Sequence, residues 1–276
     1  MLSVNELLPP FEPTRKNLYH YTTQEGLLGI AKTRSLWTTS IIHLNDSAEY
    51  NYALALADLK LMSKLEKCEG KEREFYERIL SSLGPMKHFT LYVGSFSELG
   101  DSLSQWRAYT HNGVGFSVGF KDTYLLSLAT KQAYRLARCI YDEKEHQQII
   151  SKLVDSLQPS EDEENELKMF LGNLAMIAPV LKSVAFKDEK EWRVVSEISL
   201  MMTPGEVEFR AGKSMLIPYR NFKLEDDKGM LQMSELYMGP TPNKELSQAS
   251  LLQLGISKKL ANPLVVQVSQ IPYRSW

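Results

Sequence analysis

Two glutamates and an arginine alternate with other residues in the segment FKDEKEWRVVSE, residues 186–197. Side chains of a strand alternate between its two faces, so Glu189, Glu191 and Arg193 are predicted to project from the same side. Such a row is either a solvated strand edge or part of an active site. In an active site, one carboxylate can stabilise positive charge on an anomeric carbon. The other can accept a proton from an incoming nucleophile.

Other polar candidates lie near the N-terminus. His20 stands in the middle of LYHYT, a predicted strand over residues 18–22. It is either a core-edge histidine with one backbone partner or a hydrogen-bond donor aimed at a polar ligand. In LNDSAE, Asn45, Asp46 and Glu49 most simply form a turn and a helix start, with Asp46 as a cap.

A third group of candidates lies in the middle of the chain. Ser95 and Ser97 alternate with Phe96, so both hydroxyls are predicted to share one face at a strand end. Trp106 and Tyr109 are three residues apart in a helical turn and so share a side. They are either core residues or a flat apolar wall for a planar ring.

Familiar motifs for other chemistry are absent from the sequence. GVGFSVG is one residue too long for the dinucleotide-binding GxGxxG pattern, and there is no Walker A loop, HExxH or GxSxG. None of the five histidines shows metal-ligand spacing. Cys68 and Cys139 form neither a redox CxxC nor a metal motif, and are predicted to be unpaired thiols. We therefore expect no metal.

Composition is ordinary for a globular protein. The chain has 276 residues, 43% hydrophobic and 24% charged, which allow a buried core. With 32 basic and 34 acidic residues, the net charge of −2 gives no global attraction to nucleic acid or an anionic membrane. The start lacks the features of a secretory signal, and the apolar tract 174–181 is shorter than the roughly 20 residues of a spanning helix. A cytoplasmic location is expected.

The pattern along the chain predicts strands at both ends and helices between them. Helices are predicted at 23–33 with Thr23 as N-cap, at 48–83, and within 143–183, where Ser160 and Glu163 form a capping box. The predicted strands are 18–22, 35–40, 88–97, 113–120 and several short segments after residue 205. This is an α+β domain with a helical insertion.

The predicted strand GVGFSVGF, residues 113–120, has one nearly bare face. Gly115, Ser117 and Gly119 alternate with Val and Phe residues. A face without large side chains suits close approach by a ligand or by a neighbouring backbone.

Several of these segments together resemble a known pattern. The set comprises LYHYTTQEGLLGIAKTRSLWTTS, LNDSAEY, FS with LSQWRAYTHNGVGFSVGF, FKDEKEWRVV and a closing IPYR. It resembles a bacterial domain family of unknown function, and looks like a divergent branch of the ADP-ribosyltransferase superfamily. The resemblance spans about residues 15–275. Residues 1–17, which contain Pro9, Pro10 and Pro13, are predicted to form an extended lead-in. The resemblance implies a single domain at 18–276, with a split, bent β core, flanking helices and a helical insertion at about 143–183.

The resemblance also implies a substrate and roles for individual residues. The substrate is NAD. Glu191 would hold the nicotinamide ribose and stabilise an oxocarbenium-like transition state, while Glu189 would orient or deprotonate the acceptor. Arg193 would pair with a carboxylate or contact a phosphate. The implied NAD-binding residues are His20, Tyr21, Thr22, Ser95, Ser97, Trp106, Tyr109 and Arg193.

The implied activity is transfer of ADP-ribose to a macromolecular acceptor, protein or nucleic acid, by a bacterial toxin or an anti-phage effector. The sequence departs from the family in having SFS rather than a fuller Ser-Thr-Ser, with His rather than Arg in the first strand. This mixes two subclass patterns. Two alternatives are a non-catalytic nucleotide- or partner-binding module, and a hydrolase of NAD or an N-glycoside that uses the same carboxylates.

Overall fold

A computed structural model describes residues 2–14, 16–44, 47–88, 90–110, 114–160, 162–198, 206–260 and 265–272. Within these ranges the chain forms nine α-helices and ten strands, which confirms the predicted α+β class. The predicted turn at Asn45 and Asp46 lies outside the described residues, as do the last two residues of IPYR.

The strands follow the aromatic and β-branched segments. The predicted strand at 35–40 is confirmed with the same bounds, and that at 18–22 begins one residue earlier. The predicted strands at 88–97 and 113–120 begin later than expected. The strands are β1 (Asn17–Thr22), β2 (Ser35–Ser40), β3 (Tyr92–Ser97), β4 (Phe116–Lys121), β5 (Tyr134–Arg138), β6 (Glu191–Ser196), β7 (Glu208–Ala211), β8 (Leu216–Lys223), β9 (Glu235–Met238) and β10 (Val266–Val268).

The helices largely match their predicted positions. Thr23 caps the first long helix as predicted, because its side chain accepts a hydrogen bond from the Gly26 N–H at 3.2 Å. The predicted region 48–83 is divided into two helices. The helices are α1 (Val4–Leu7), α2 (Gln24–Thr33), α3 (Ser47–Leu65), α4 (Gly70–Ser82), α5 (Leu103–Tyr109), α6 (Asp122–Lys131), α7 (Glu143–Asp155), α8 (Glu163–Ile177) and α9 (Lys244–Lys258).

Three helix predictions need correction. The lead-in is not extended throughout, because α1 interrupts it. The N-cap of α8 is Asp162, whose carboxylate accepts from the Asn165 N–H, so the predicted capping box of Ser160 with Glu163 is wrong. The run of strands predicted after residue 205 also contains α9, a helix that the sequence reasoning did not include.

The ten strands form a mostly antiparallel sheet that divides at β3. Its main path runs β10-β9-β4-β1-β3-β2-β8-β7, and β6 joins β3 and then β5. One edge of β3 pairs with β6 over Val93–Ser97. Its other edge is shared, since β2 pairs at Tyr92 and Val93 whereas β1 pairs only at Ser97. The chain therefore leaves an opening beside β3, between β1 and β2.

Helices cover both faces of the sheet. Helices α3, α4, α7 and α8 bury one face, which includes Val93 and Val195. Helices α2, α6 and α9 bury the other face, which includes Phe96 and Val194. Because strand side chains alternate, Glu191 on β6 points to the same face as Val195, towards α3 and α8.

The bare face of β4 is filled by neighbouring residues. A Cβ atom on Gly119 would lie 2.8 Å from the ring of Tyr19, and one on Gly115 would lie 2.5 Å from the carbonyl oxygen of Thr22. Glycine is required there because β1 approaches too closely for a side chain. Close approach by a neighbouring backbone, one of the two predicted reasons, is thus observed at Gly115.

Candidate functional site

The two glutamates of the EKE motif lie on different elements. A 3₁₀ helix, Val184–Glu189, ends at Lys190, whose left-handed backbone (φ 45°) turns the chain into β6. The prediction that Glu189 alternates on the strand is therefore wrong, because the strand begins at Glu191. The end of β3 anchors this turn: the Ser97 hydroxyl donates to the Glu189 carbonyl at 2.7 Å.

A buried lysine nevertheless joins the two carboxylates. The side chain of Lys182 is fully buried, and its Nζ lies 2.7 Å from Glu189 Oε2 and 2.6 Å from Glu191 Oε2. Sequence reasoning missed Lys182, which follows the apolar tract LAMIAPVL. The available signal was a cation at the end of a segment that is otherwise suited to the core.

Arg193 completes the network from the same face of β6. Its Nε and Nη2 donate to the two oxygens of Glu191 at 2.9 and 3.1 Å, a fork geometry typical of strong arginine–carboxylate pairs. Its Nη1 donates to Glu49 of α3 at 2.9 Å. Glu191 and Arg193 are only 4% and 2% exposed, so this row is not a solvated strand edge.

The network fixes the charge of its members. Burial alone raises the pKa of Glu191, but the neighbouring Arg193 and Lys182 outweigh it and lower that pKa to about 2. Burial alone lowers the pKa of Lys182, and Glu191 reverses this, so the lysine pKa lies above its ordinary value. Glu191 is therefore an anion and Lys182 a cation at neutral pH.

His20 occupies the place where β1 separates from β3. Its Nδ1 is 2.9 Å from the Ser95 carbonyl oxygen, which can only accept, so the proton is on Nδ1. Burial lowers the pKa of His20 and keeps the ring neutral. Its remaining nitrogen, Nε2, is then an acceptor. The predicted role as donor to a ligand is corrected, because the backbone uses the donor.

The two aromatic residues of α5 have different environments. Trp106 is fully buried; its Nε1 donates to Asp101 at 2.7 Å, and its ring contacts Tyr21. It is a core residue, the alternative left open above. Tyr109 is 38% exposed, and its hydroxyl lies 3.5 Å from Glu189 Oε1. Of these two aromatic residues, Tyr109 is the one that lines this site.

Four distant segments of the chain meet around one small cavity, here called the cleft. Its volume is about 40 Å³. Because β1, β3, α5 and the start of β6 all contribute to its wall, the cleft exists only in the folded chain. The lining residues are Tyr19, His20, Tyr21, Ser95, Phe96, Gln105, Tyr109, Glu189 and Glu191.

Gln105 is a cleft residue that sequence reasoning did not identify. It is only 5% exposed, and it lines the cleft. Gln105 therefore adds a hydrogen-bonding amide group to the wall of the cleft. The only sequence signal was its place beside Trp106.

Four predicted site residues do not line the cleft. Ser97 uses its hydroxyl for the backbone at Glu189 and Leu99. Thr22 is buried at the end of β1, where its side chain faces Gly26. The remaining two, described above, are Trp106 in the core and Arg193 in the ion network.

Two further searches cover the described ranges. Among these residues, no group of three or more His, Cys, Asp and Glu side chains is placed to hold a metal ion. None of the described helices combines the length and apolar character needed to cross a bilayer. Cys68 and Cys139 are free thiols, as predicted, and burial raises the pKa of Cys139.

Comparison with known proteins gives one match. A family model described as "Protein of unknown function (DUF2971)" matches residues 105–194, the range from α5 into β6. No curated protein and no solved structure matches the chain. The matched range contains Gln105, Tyr109, Lys182, Glu189 and Glu191. A match to this family is thus found at residues 105–194, and over that range the predicted resemblance to a family of unknown function is confirmed.

Proposed function

We propose that this protein is an enzyme of ADP-ribosyltransferase type. It would cleave the bond between nicotinamide and ribose in NAD and pass ADP-ribose to a macromolecular acceptor. The observation that carries this proposal is the cleft, where His20, Tyr109 and both glutamates meet although they are far apart in sequence. A role as a toxin or anti-phage effector would depend on which acceptor is modified.

Glu191 is suited to an electrostatic role. When the glycosidic bond breaks, its electron pair goes to the nicotinamide nitrogen and positive charge develops on the ribose. A fixed carboxylate stabilises that charge. With a pKa of about 2, Glu191 is a weak base and stays ionised throughout the reaction. Lys182 and Arg193 hold it in position.

Glu189 is suited to proton transfer. Its side chain is 15% exposed, three times as much as that of Glu191, and only one of its oxygens is bound to Lys182. The other oxygen is in a long contact with Tyr109, at 3.5 Å. It would accept the proton of the acceptor group as that group forms the new bond to ribose.

The remaining cleft residues would recognise the substrate. The His20 Nε2 lone pair would accept from a ribose hydroxyl, the Gln105 amide would bond the carboxamide, and the Tyr109 ring would stack on nicotinamide. One water needs roughly 10–15 Å³, so a 40 Å³ cleft holds only a few waters. Substrate binding would therefore require Tyr109 and Glu189 to move apart.

The test uses NAD labelled in its adenylate half, incubated with the protein and a cell extract. Glu191→Gln is expected to lower nicotinamide release and label transfer by about 10²–10³-fold, the usual effect of losing one electrostatic stabiliser. Glu189→Gln is expected to lower label transfer more than nicotinamide release. Glu197→Gln, an exposed position just after β6, serves as the matched control.

The outcomes separate the alternatives. Absence of both nicotinamide release and label transfer from the wild type would count against an enzyme. Free ADP-ribose without labelled macromolecule would identify water as the acceptor. A non-catalytic nucleotide-binding module is the second candidate, because both oxygens of Glu191 are already ion-paired and the cleft is small. Calorimetric binding of ADP-ribose without turnover of NAD would support it.

A further inference from the structure

A second and larger cavity, here called the groove, lies beside β5. Its volume is about 920 Å³, near the upper end of the roughly 300–1,000 Å³ of ligand sites. Residues 135–141 line it without a gap, and residues 8–12 line it from the N-terminal side. Side chains of a strand alternate between faces, so consecutive residues reach one cavity only when it meets the edge of the strand.

Within the described ranges, the edge of β5 that faces the groove pairs with no other strand. Cys139 N–H donates to Glu191 and Glu197 N–H donates to Ala133, so the odd-numbered residues bond to β6. The N–H and C=O groups of Leu136 and Arg138 point the other way. Neither residue has a backbone hydrogen bond on this edge to any part of the chain that the structure describes.

The N-terminal segment covers the groove without pairing with β5. Leu8 is buried in the core that α3, α4, α7 and α8 form on one face of the sheet. The ring of Phe11 contacts the ring of Trp192 at a centroid distance of 5.6 Å. Further along, Thr14 bonds to Asp122 at 2.7 and 2.9 Å. Pro9 and Pro10 have no N–H to donate. The cover is thus fixed at both ends and leaves the strand edge available.

The charges around the groove favour a polypeptide over a polyanion. Among the described residues, three basic and four acidic side chains line it, which gives them a formal charge of −1. One of the basic residues, Arg138, is already paired with Glu98 at 3.1 Å. Nucleic-acid channels are strongly positive. The acidic residues are Glu12 on the covering segment and Asp142, Glu143 and Glu145 around the start of α7.

We infer that the groove binds an extended peptide segment of a partner protein, which adds a strand to the free edge of β5 and places basic side chains near Glu12, Glu143 and Glu145. Strand addition supplies backbone hydrogen bonds at Leu136 and Arg138.

The groove also contacts residues that position the cleft. Trp192 lines the groove while its neighbour Glu191 lines the cleft. The hydroxyl of Tyr141, another groove residue, accepts a hydrogen bond from the Glu191 N–H at 2.8 Å. Peptide binding itself does not depend on the proposed reaction and is measured without NAD.

The experiment selects random twelve-residue peptides on the full chain by display, and measures the affinity of the best peptide by fluorescence anisotropy. Arg138→Pro removes an N–H that faces the groove and leaves the β6 ladder intact, so we expect about tenfold weaker binding. Arg138→Ala keeps that N–H and is the matched control, with an expected change below about threefold. A twelve-nucleotide oligothymidylate is the competing probe.

Hydrogen exchange provides a second measurement. The amides of Leu136 and Arg138 should exchange fast in the free protein and become protected by peptide, whereas the Ala137 amide, bonded to β6, is protected in both states. The inference is overturned if no peptide is enriched, if binding is insensitive to Arg138→Pro, or if the oligonucleotide binds more tightly than any peptide.

Discussion

Adjacent residues of β6 line the two cavities, Glu191 the cleft and Trp192 the groove. The cavities differ in whether their polar groups already have hydrogen-bond partners. In the cleft, two glutamates are bound by Lys182 at 2.7 Å or less. In the groove, the backbone groups of Leu136 and Arg138 face a cavity of about 920 Å³ and have no partner there among the residues that the structure describes. The two carboxylates of the cleft therefore have protein partners already, whereas the proposed peptide would supply the partners of the groove's backbone groups.

The two regions also differ in how the chain builds them. The cleft joins residues from β1, β3, α5 and β6, so its geometry depends on the order of strands in the sheet. Most of the groove comes from one continuous stretch, 135–145, covered by the lead-in. Substitutions in the cleft should thus affect global stability, and those at the groove should act locally.

The largest effect is expected for Lys182→Met. The variant leaves Glu189 and Glu191 facing each other in a buried site, and losing one partner of a buried pair costs about 3–5 kcal/mol. Urea denaturation measures the free energy of unfolding. Lys60→Met is the control, because Lys60 pairs with Asp155 at the surface and should cost no more than about 1 kcal/mol. Equal losses of unfolding free energy in the two variants would contradict the expected difference between a buried and a surface ion pair.

The next largest effect is the loss of the stability contributed by Glu191 at acidic pH. The pKa of Glu191 is about 2 in the folded protein, below its ordinary value of 4.5, so the unfolded chain binds a proton first as pH falls. Its stabilisation is complete above about pH 4.5 and is lost between there and pH 2. In a pH series of denaturation curves, the stability gap between wild type and Glu191→Gln should narrow over this window. A constant gap would contradict the assignment.

A smaller loss is expected for His20→Phe. The variant removes the Nδ1–H group that donates to the Ser95 carbonyl oxygen at 2.9 Å. A buried acceptor left without a partner lowers the free energy of unfolding by about 1–3 kcal/mol. Thermal or urea unfolding checks this value. Unchanged stability would show that the carbonyl finds water instead, and that the cleft is less enclosed than its geometry indicates.

The smallest effect is expected for Arg138→Ala at the groove. The side chain of Arg138 is 59% exposed and its bond to Glu98 is a surface ion pair, so the free energy of unfolding should change by less than about 0.5 kcal/mol. A loss as large as that of Lys182→Met would mean that the groove is part of the stabilising core.

Local sequence patterns predicted many elements well. Aromatic and β-branched content located β1 and β2, and Thr23 marked the start of α2. These patterns depend only on a few neighbouring residues, so they can be recognised in the sequence without knowledge of the tertiary structure. They were less useful at α9, where exposed Leu246 and Ile256 obscure the amphipathic pattern that identifies a helix.

Long-range contacts explain the predictions that failed. Glu189 fits a strand alternation, but Lys190 adopts a left-handed conformation in a turn that Ser97 and Glu98 anchor from β3. Trp106 and Tyr109 lie on one side of the same helix, but Trp106 is buried in a cluster with Tyr19 and Tyr21, whereas Tyr109 is 38% exposed. The spacing of residues within one element does not indicate which side chains of other elements pack against them.

The sequence by itself determined the chemical groups available: two closely spaced glutamates, an arginine, a mid-strand histidine and an aromatic pair, on elements with recognisable periodicity. The tertiary structure decided which of them meet. In the folded chain Lys182 lies between the two glutamates, and Gln105 lines the cleft. Trp106 and Arg193 do not line it. The physical reason is that periodicity fixes the face on which a side chain lies, whereas strand order and packing fix what it faces.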